Sequence, residues 1–292
     1  MSNAEIRAEI RDVSDTALWV AAYRAVESQR PDAAFHDPLA ELLVGERGHA
    51  IRQMMPGTEL MQWVMVLRTK AIDRMIESAI ARGADTVINL GAGLDTRPYR
   101  LELPASLRWI EIDFPNIIKL KTTRLASYAP KCQLEHIALD LSNRELRRQT
   151  LSAIATQSQT IVVLTEGLLP YLEPDEVTSL AADLHLLGKV RYWIQDYYSG
   201  KLGGPFRAWR KKLKAAPFKF EVTDWIGFFN QRGWTVLERS RFIDEATRLG
   251  RRPPLTWWRI LMYLLTPPSI RRKQGERGGY VMFERSDGST IS

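Results

Sequence analysis

From residue 86 onward the sequence alternates between two periodicities, and this alternation restricts the possible folds more than any other feature of the chain. Short apolar runs stand at Thr86–Leu90, Arg108–Asp113, Leu134–Leu139, Thr160–Thr165 and Arg191–Gln195. Segments with helical spacing lie among them at Pro115–Ser127, Arg144–Ala155 and Pro174–Leu187, and a further one follows at Thr223–Arg232. Strands alternating with helices predict an α/β domain with a mostly parallel sheet covered on both faces. Two later runs, Trp234–Glu238 and Gly279–Glu284, bring the expected strands to seven, with antiparallel pairing admitted among the last.

Residues 1–83 read differently. Asp15 or Ser14 is placed to cap a helix through Thr16–Gln29, which Pro31 closes. Asp37-Pro38 opens a short helix that Gly45 ends, and a long helix follows near Glu59–Arg82, with Gly83 as its stop. We therefore expect an N-terminal helical cap (1–83) on a sheet core (84–292), integrated into one domain. Inserts are expected at about 199–222 and, basic and aromatic-rich, at about 240–278. Within the latter, Leu255–Thr266 reads either as a lid over a substrate or as a helix packed on the core.

A hydrophobic share of 45% and a charged share of 26% suit a water-soluble chain with a real core. The net charge of +7 is spread out, gathering only mildly at Arg207–Lys214 and Arg251–Arg277, and reads as a solvated surface with no nucleic acid or membrane partner. One cysteine, Cys132, excludes an intrachain disulfide, and the four histidines show no metal-ligand spacing. The polar start predicts no secretory signal, and Leu255–Thr266 is too short to span a bilayer, so a cytoplasmic location is expected.

The run most telling of chemistry is Val87-Ile-Asn-Leu-Gly91-Ala-Gly93-Leu-Asp95-Thr-Arg97. Glycines at the carboxyl end of a first strand let the backbone approach a ligand, and that edge is where open parallel sheets bind. Asp113 ends the next strand twenty residues after Gly93, where a carboxylate suits the two hydroxyls of a ribose. A nicotinamide dinucleotide would favour a third glycine where Thr96 stands, and the Asp95 carboxylate would repel a pyrophosphate. S-adenosylmethionine has no phosphate and tolerates nearby acids, so the loop points to that cofactor.

Asn89–Arg97, followed by Glu111-Ile-Asp113-Phe-Pro115, resembles the leucine carboxyl methyltransferase family, which includes polyketide O-methyltransferases of the tetracenomycin type. Ser14–Arg24 and Asp37-Pro38 are similar to its bacterial branch, and the likeness runs to about Leu172. The resemblance implies a Rossmann-like class I methyltransferase fold and S-adenosyl-L-methionine as cofactor. Cofactor contacts are implied at Gly91, Ala92, Gly93, Asp95 and Asp113. Arg68 would pair with the methionine carboxylate through its planar fork; otherwise it is a solvated helix arginine. Asp140 and Leu141 would read adenine, or Asp140 would cap the following helix. Glu166 would stand near the amino acid moiety, or be a plain loop carboxylate. Eukaryotic members place a lysine in the first helix where this chain has Leu18–Ala22, which counts against a protein C-terminus as acceptor.

Methyl transfer needs positioning and exclusion of water more than side-chain chemistry. A carboxylate acceptor requires no general base, whereas a phenol or alcohol does, and no histidine lies in a recognisable site motif. The expected acceptor is a small-molecule or polyketide-like acid, with Tyr171, Arg24 and Tyr23 as candidates to orient it. Other readings stay open: a protein or peptide carboxyl methyltransferase, a nicotinamide-dependent oxidoreductase, and a protein that binds S-adenosylmethionine without turnover.

Overall fold

A computed structural model describes residues 10–199, 213–254, 265–267, 275–276 and 278–286. Its strands are β1 (Thr86–Leu90), β2 (Arg108–Asp113), β3 (Gln133–Ala138), β4 (Ile161–Thr165), β5 (Val190–Tyr198), β6 (Trp234–Arg241) and β7 (Gly278–Arg285). They form one sheet in the order β3-β2-β1-β4-β5-β7-β6. The first five in space are parallel, and β7 runs antiparallel between β5 and β6. The expected seven-stranded α/β sheet is therefore present. The crossovers run outward in one direction from β1 and in the other from β4, so the carboxyl ends of these neighbours form the switch point where such sheets open a crevice.

The central strands are apolar on both faces because both faces are covered. Ile88, Ile110, Val163 and Trp193 pack on one side. There they meet Leu151 of α6 (Arg144–Thr156), Leu180 of α7 (Pro174–Leu186) and Phe229 of α8 (Trp225–Asn230). Their neighbours Val87, Trp109, Val162 and Ile194 point to the other side, against Leu67, Ala71, Ile72 and Met75 of α3 (Thr58–Ala81). The stripe read in the sequence is thus the face α3 lays on the sheet. Gly83, at φ 95°, ends that helix region as expected.

The cap is built from α1 (Val13–Ser28) and α2 (Pro38–Met54) together with the start of α3. Asp12, and neither Ser14 nor Asp15, caps α1 by accepting from the Asp15 amide at 3.2 Å. The helix starts earlier than the periodicity suggests, which frees Asp15 to pair with Arg47 of α2 at 2.5 Å. α1 ends at Ser28, so Pro31 lies in the turn beyond it. Gly45 does not end α2: its φ of 57° and ψ of −178° kink the chain, and helix resumes to Met54. The Leu43 carbonyl beside the kink accepts from Arg124, so the carbonyl released by the kink keeps a partner.

Four short elements complete the described chain: α4 (Arg97–Arg100), α5 (Pro115–Arg124), a 3₁₀ turn at Leu169–Tyr171, and α9 (Phe242–Arg248). α9 occupies the start of the insert expected between β6 and β7. Nearly all of Leu255–Thr266, and most of the basic run Arg207–Lys214, lie outside the described residues. Among the described residues no helix is long and apolar enough to cross a membrane.

One buried ion pair sets the turn that matters most for the site. Lys121 of α5 and Glu111 of β2, both wholly buried, lie 2.5 Å apart, with His136 of β3 3.3 Å from the same carboxylate. This pair fixes α5 against β2 and thereby the Asp113-Phe114 turn between them. Replacing Lys121 by Ala should leave Glu111 uncompensated and cost about 3–5 kcal/mol in a urea titration. The double replacement Lys121→Met with Glu111→Gln should recover most of that loss. Equal destabilisation by both variants would show that the charges are not what holds α5.

Candidate active site

The β1–α4 loop begins where β1 runs out. Gly91 (φ 67°) and Gly93 (φ 51°) take backbone conformations that a side chain resists. They are also crowded: a Cβ on Gly91 would stand 3.0 Å from Leu168 Cδ1, and one on Gly93 3.3 Å from the Ala17 methyl. The loop is thereby pressed between the cap and the segment after β4. The Gly91 amide donates to the Ile112 carbonyl at 2.9 Å, which ties the loop to β2.

At the carboxyl edge of the sheet, under the cap, lies a cavity of about 400 Å³. Its lining includes Gly91, Ala92, Gly93, Asp95, Asp113, Asp140, Leu141, Glu166, Arg68, Arg24 and Tyr171, so all but one of the residues singled out in the sequence meet here. The exception is Tyr23, which is wholly buried in the cap, accepts from the Trp19 indole at 3.1 Å and is absent from the lining. Its ring packs in the cap among Trp19, Ile51, Met61 and Val64 and contributes no surface to the cavity.

Beneath the loop sits a buried network centred on Arg97. Its guanidinium lies 2.7 Å from Asp73 of α3, 2.7 Å from Asp95 and 2.8 Å from Glu166. Asp95 also accepts from Asn89 and from the Arg97 amide, each at 2.9 Å. Burial works to raise the Asp95 pKa, but the charges of Arg97, Lys121 and Arg24 together with the Arg97 amide outweigh it and hold the carboxyl well below its ordinary range. Glu166 is lowered likewise, burial being outweighed by Arg97 and then Arg68. Both carboxylates therefore stay ionised through the neutral range. Because Arg97 neutralises Asp95, that side chain is not the bare charge that would repel a pyrophosphate. The obstacle to a diphosphate lies elsewhere: α4 is a single turn, with little dipole to offer at its N-terminus.

Arg68 is not a solvated helix arginine. It is buried, 2.8 Å from Glu166 and 3.6 Å from Asp196, and lines the cavity. Arg24 pairs with Asp37 at 2.9 Å and donates to the Leu94 carbonyl, while the Thr96 hydroxyl donates to Asp37 at 2.6 Å. Two of its guanidinium nitrogens are thus spent joining the cap to the loop, which makes Arg24 a tie within the protein more than a hand for an acceptor. Asp140 does not cap α6; Asn143 does, accepting from the Leu146 amide at 3.2 Å, while exposed Asp140 accepts from the Ser142 amide at 2.9 Å.

Asp113 does more than the sequence suggested. Its carboxylate oxygens accept from the Gly93 amide at 2.6 Å and the Phe114 amide at 2.7 Å. Each oxygen keeps a second lone pair, so the residue can pin the loop and still accept from ribose hydroxyls. Burial raises its pKa, partly offset by these two amides.

Asp196 and Tyr198 were missed. Both line the cavity, because β5 continues three residues past the Gln195 at which the apolar run was read to end. The available signal was the pair of strand-favouring aromatics, Tyr197 and Tyr198, that follows Gln195-Asp196. Phe114, partly exposed next to Asp113, is a further lining residue that went unnamed.

The model of the leucine carboxyl methyltransferase family matches residues 17–185, more than half of the chain. The chain belongs to that family. Among its relatives is a protein of Mycobacteroides abscessus named as an S-adenosyl-L-methionine-dependent methyltransferase, 32% identical over 82% of this chain and 89% of its own length. A relative of the same description from Saccharopolyspora erythraea is 33% identical over 85% of this chain and 91% of its own. A solved structure from Thermobifida fusca, described as a methyltransferase, superposes with a TM-score of 0.56 at 12% identity, covering 91% of this chain and 94% of that one. A DUF574 family protein from Streptomyces avermitilis gives 0.55, also at 12%, over 91% and 96%. At that identity the two structures speak for the fold alone. This family member is an S-adenosylmethionine-dependent methyltransferase, and the crowded glycines, the ribose-ready Asp113 and the arginine–carboxylate floor fit that cofactor.

Replacing Asp113 by Ala should weaken binding of S-adenosylhomocysteine by about 2–4 kcal/mol, the loss of two hydrogen bonds to a charged group. Isothermal titration of the folded variant decides the matter. An unchanged dissociation constant would confine Asp113 to holding the loop.

Proposed function

We propose that this chain methylates a carboxylate oxygen of a small, largely apolar acid. The observation that carries the reading is the make-up of the cavity beyond the glycine loop. Its walls there are Val20, Met61, Val64, Met65, Leu213 and Phe218, and among the described lining residues there is no histidine. Such a chamber accepts an acyl or aromatic body and offers none of the usual neutral-range bases to activate an alcohol. It is a poor match for the polar edge of a nucleic acid base.

The proposed division of roles follows from position. The Gly91–Gly93 backbone and Asp113 would hold the ribose side of the cofactor, Asp140 and the Leu141 amide its adenine, and Arg68 with Glu166 its amino acid end. When bound, S-adenosylmethionine supplies an electrophilic methyl group on a positively charged sulfur. The protein's own contribution is to bring the acceptor oxygen in line with that methyl group and to keep water away. α1 and α3 do the excluding, since Ala17, Val20, Met61 and Met65 roof the cavity. Tyr171 stands edge-on to Phe218 at 5.3 Å between ring centres, and burial pushes its pKa up to about 12. It is therefore a neutral hydroxyl donor at physiological pH, suited to an anionic acceptor and unsuited to act as a base.

A carboxylate acceptor is ionised across the neutral range, so its methylation rate should be nearly flat from about pH 6 to 8. A phenol without a base would show a rate rising with pH. The product of transfer from radiolabelled cofactor should release methanol in mild alkali, as methyl esters do. An alkali-stable product from the acceptor would overturn carboxylate methylation and leave the methyltransferase standing.

A further inference from the structure

Among the described residues of the cavity floor, Asp196 is the carboxyl held least closely by a cation. The buried floor brings together three guanidiniums, Arg68, Arg97 and Arg100, and four carboxyls, Asp73, Asp95, Glu166 and Asp196. Asp73, Asp95 and Glu166 each have a guanidinium nitrogen within 2.8 Å. The nearest to Asp196 is Arg68 Nη1, at 3.6 Å, and Arg68 is already engaged by Glu166. Among the described residues, the other polar groups around Asp196 are neutral or acidic. The Gly167 amide donates to its Oδ1 at 2.8 Å, the Tyr198 hydroxyl hydrogen-bonds the carboxyl, and Glu166, Tyr171 and Tyr280 face it from just past β4, the 3₁₀ turn and β7.

A fourth anion buried with only a distant share of a cation is costly, and the cheaper state is the protonated acid. Burial, only partly offset by Arg68 and the Gly167 amide, raises the Asp196 pKa in the same sense. A neutral carboxyl changes what this end of the cavity can bind. An ionised Asp196 would repel an incoming carboxylate; a protonated one donates a hydrogen bond to it. Tyr198 and Tyr171 line the cavity beside it, so the polar end of an otherwise apolar chamber is furnished with hydroxyl donors.

Resting on the carboxylate reading, we propose that Asp196 is an acceptor-binding residue that stays protonated and donates a hydrogen bond to one oxygen of the acceptor carboxylate, leaving the other oxygen to attack. This one-sided contact leaves the attacking oxygen its full charge, whereas a symmetric arginine fork would draw on both oxygens alike. The acceptor class is then an amphipathic monoacid, with an apolar body under the cap and its carboxylate at the end of β5.

The test is calorimetric and uses decanoate and 1-decanol as probes of protein saturated with S-adenosylhomocysteine. Wild-type protein is expected to prefer decanoate at pH 7. Asp196→Ala should weaken decanoate about tenfold, the loss of one hydrogen bond to a charged group. Asp196→Asn, whose amide donates from the same place while its oxygen still accepts from Gly167, should return the affinity to within about threefold. S-adenosylhomocysteine affinity, which reports folding and the cofactor half, should hold in both variants. Wild-type decanoate affinity should be level through the neutral range and fall only at higher pH as Asp196 ionises, and should stay level throughout in Asp196→Asn. If Asp196→Asn binds as weakly as Asp196→Ala, or if Asp196→Ala binds decanoate normally, the assignment fails while the carboxylate reading stands. If the wild type fails to bind decanoate, both fail together.

Discussion

The buried guanidinium of Arg97 is the interaction on which the rest of the site depends. It binds one carboxylate from α3, one from the β1–α4 loop and one from the end of β4, three segments far apart in sequence. A buried cation is tolerable only where its partners hold it, and those partners are tolerable only because of the cation. The long helix under the sheet, the glycine loop and the post-β4 segment are therefore locked to one another at the point where the cofactor must lie. Arg100 shares Asp73 with Arg97, and Arg68 shares Glu166 with it, so the lock continues to the cavity wall.

Much of the fold could be read in advance because its strands are apolar on both faces and its loops carry glycine. β1 and β2 lie where the runs Thr86–Leu90 and Arg108–Asp113 place them. Gly91 and Gly93 stood out because their conformations leave no room for a side chain. What escaped were features set by contacts distant in sequence. Gly45 looked like a helix stop, and it is a kink after which helix resumes, with Arg124 from a distant helix bonded to the Leu43 carbonyl beside it. Asp95 read as a charge that would repel a pyrophosphate because nothing local reveals that Arg97 folds back onto it. Asp196 lay beyond the apparent end of β5, which is carried on by pairing with β7. Arg68 and Glu166 became visible only through the family resemblance, since on a bare helix and in a bare loop such residues are ordinary.

The two halves of the cavity that the proposed function assigns, one to the cofactor and one to the acceptor, are built by different physical means. The cofactor half is backbone and charge: positive-φ glycines, amides fixed by Asp113, and arginines matched to acids. Such a surface is rigid and leaves little latitude, since a methyl group added at Gly91 or Gly93 already meets a neighbour. The acceptor half is a set of flexible apolar side chains from α1, α3 and the segment near Phe218. Methionines are prominent there, and their unbranched chains repack around differently shaped guests.

The tie between Asp37, Arg24 and Thr96 has a consequence for how such a protein can change over time. The roof of the proposed acceptor chamber precedes the sheet in the chain and is anchored to the β1–α4 loop by a joint of buried charge, separate from the apolar side chains that form its walls. Substitutions at Val20, Met61 or Met65 can remodel the chamber without touching the joint, whereas a change at Asp37 would unseat roof and loop together. Changes of acceptor can therefore be explored at a few apolar side chains while the charged joint that seats the roof on the loop is inherited intact.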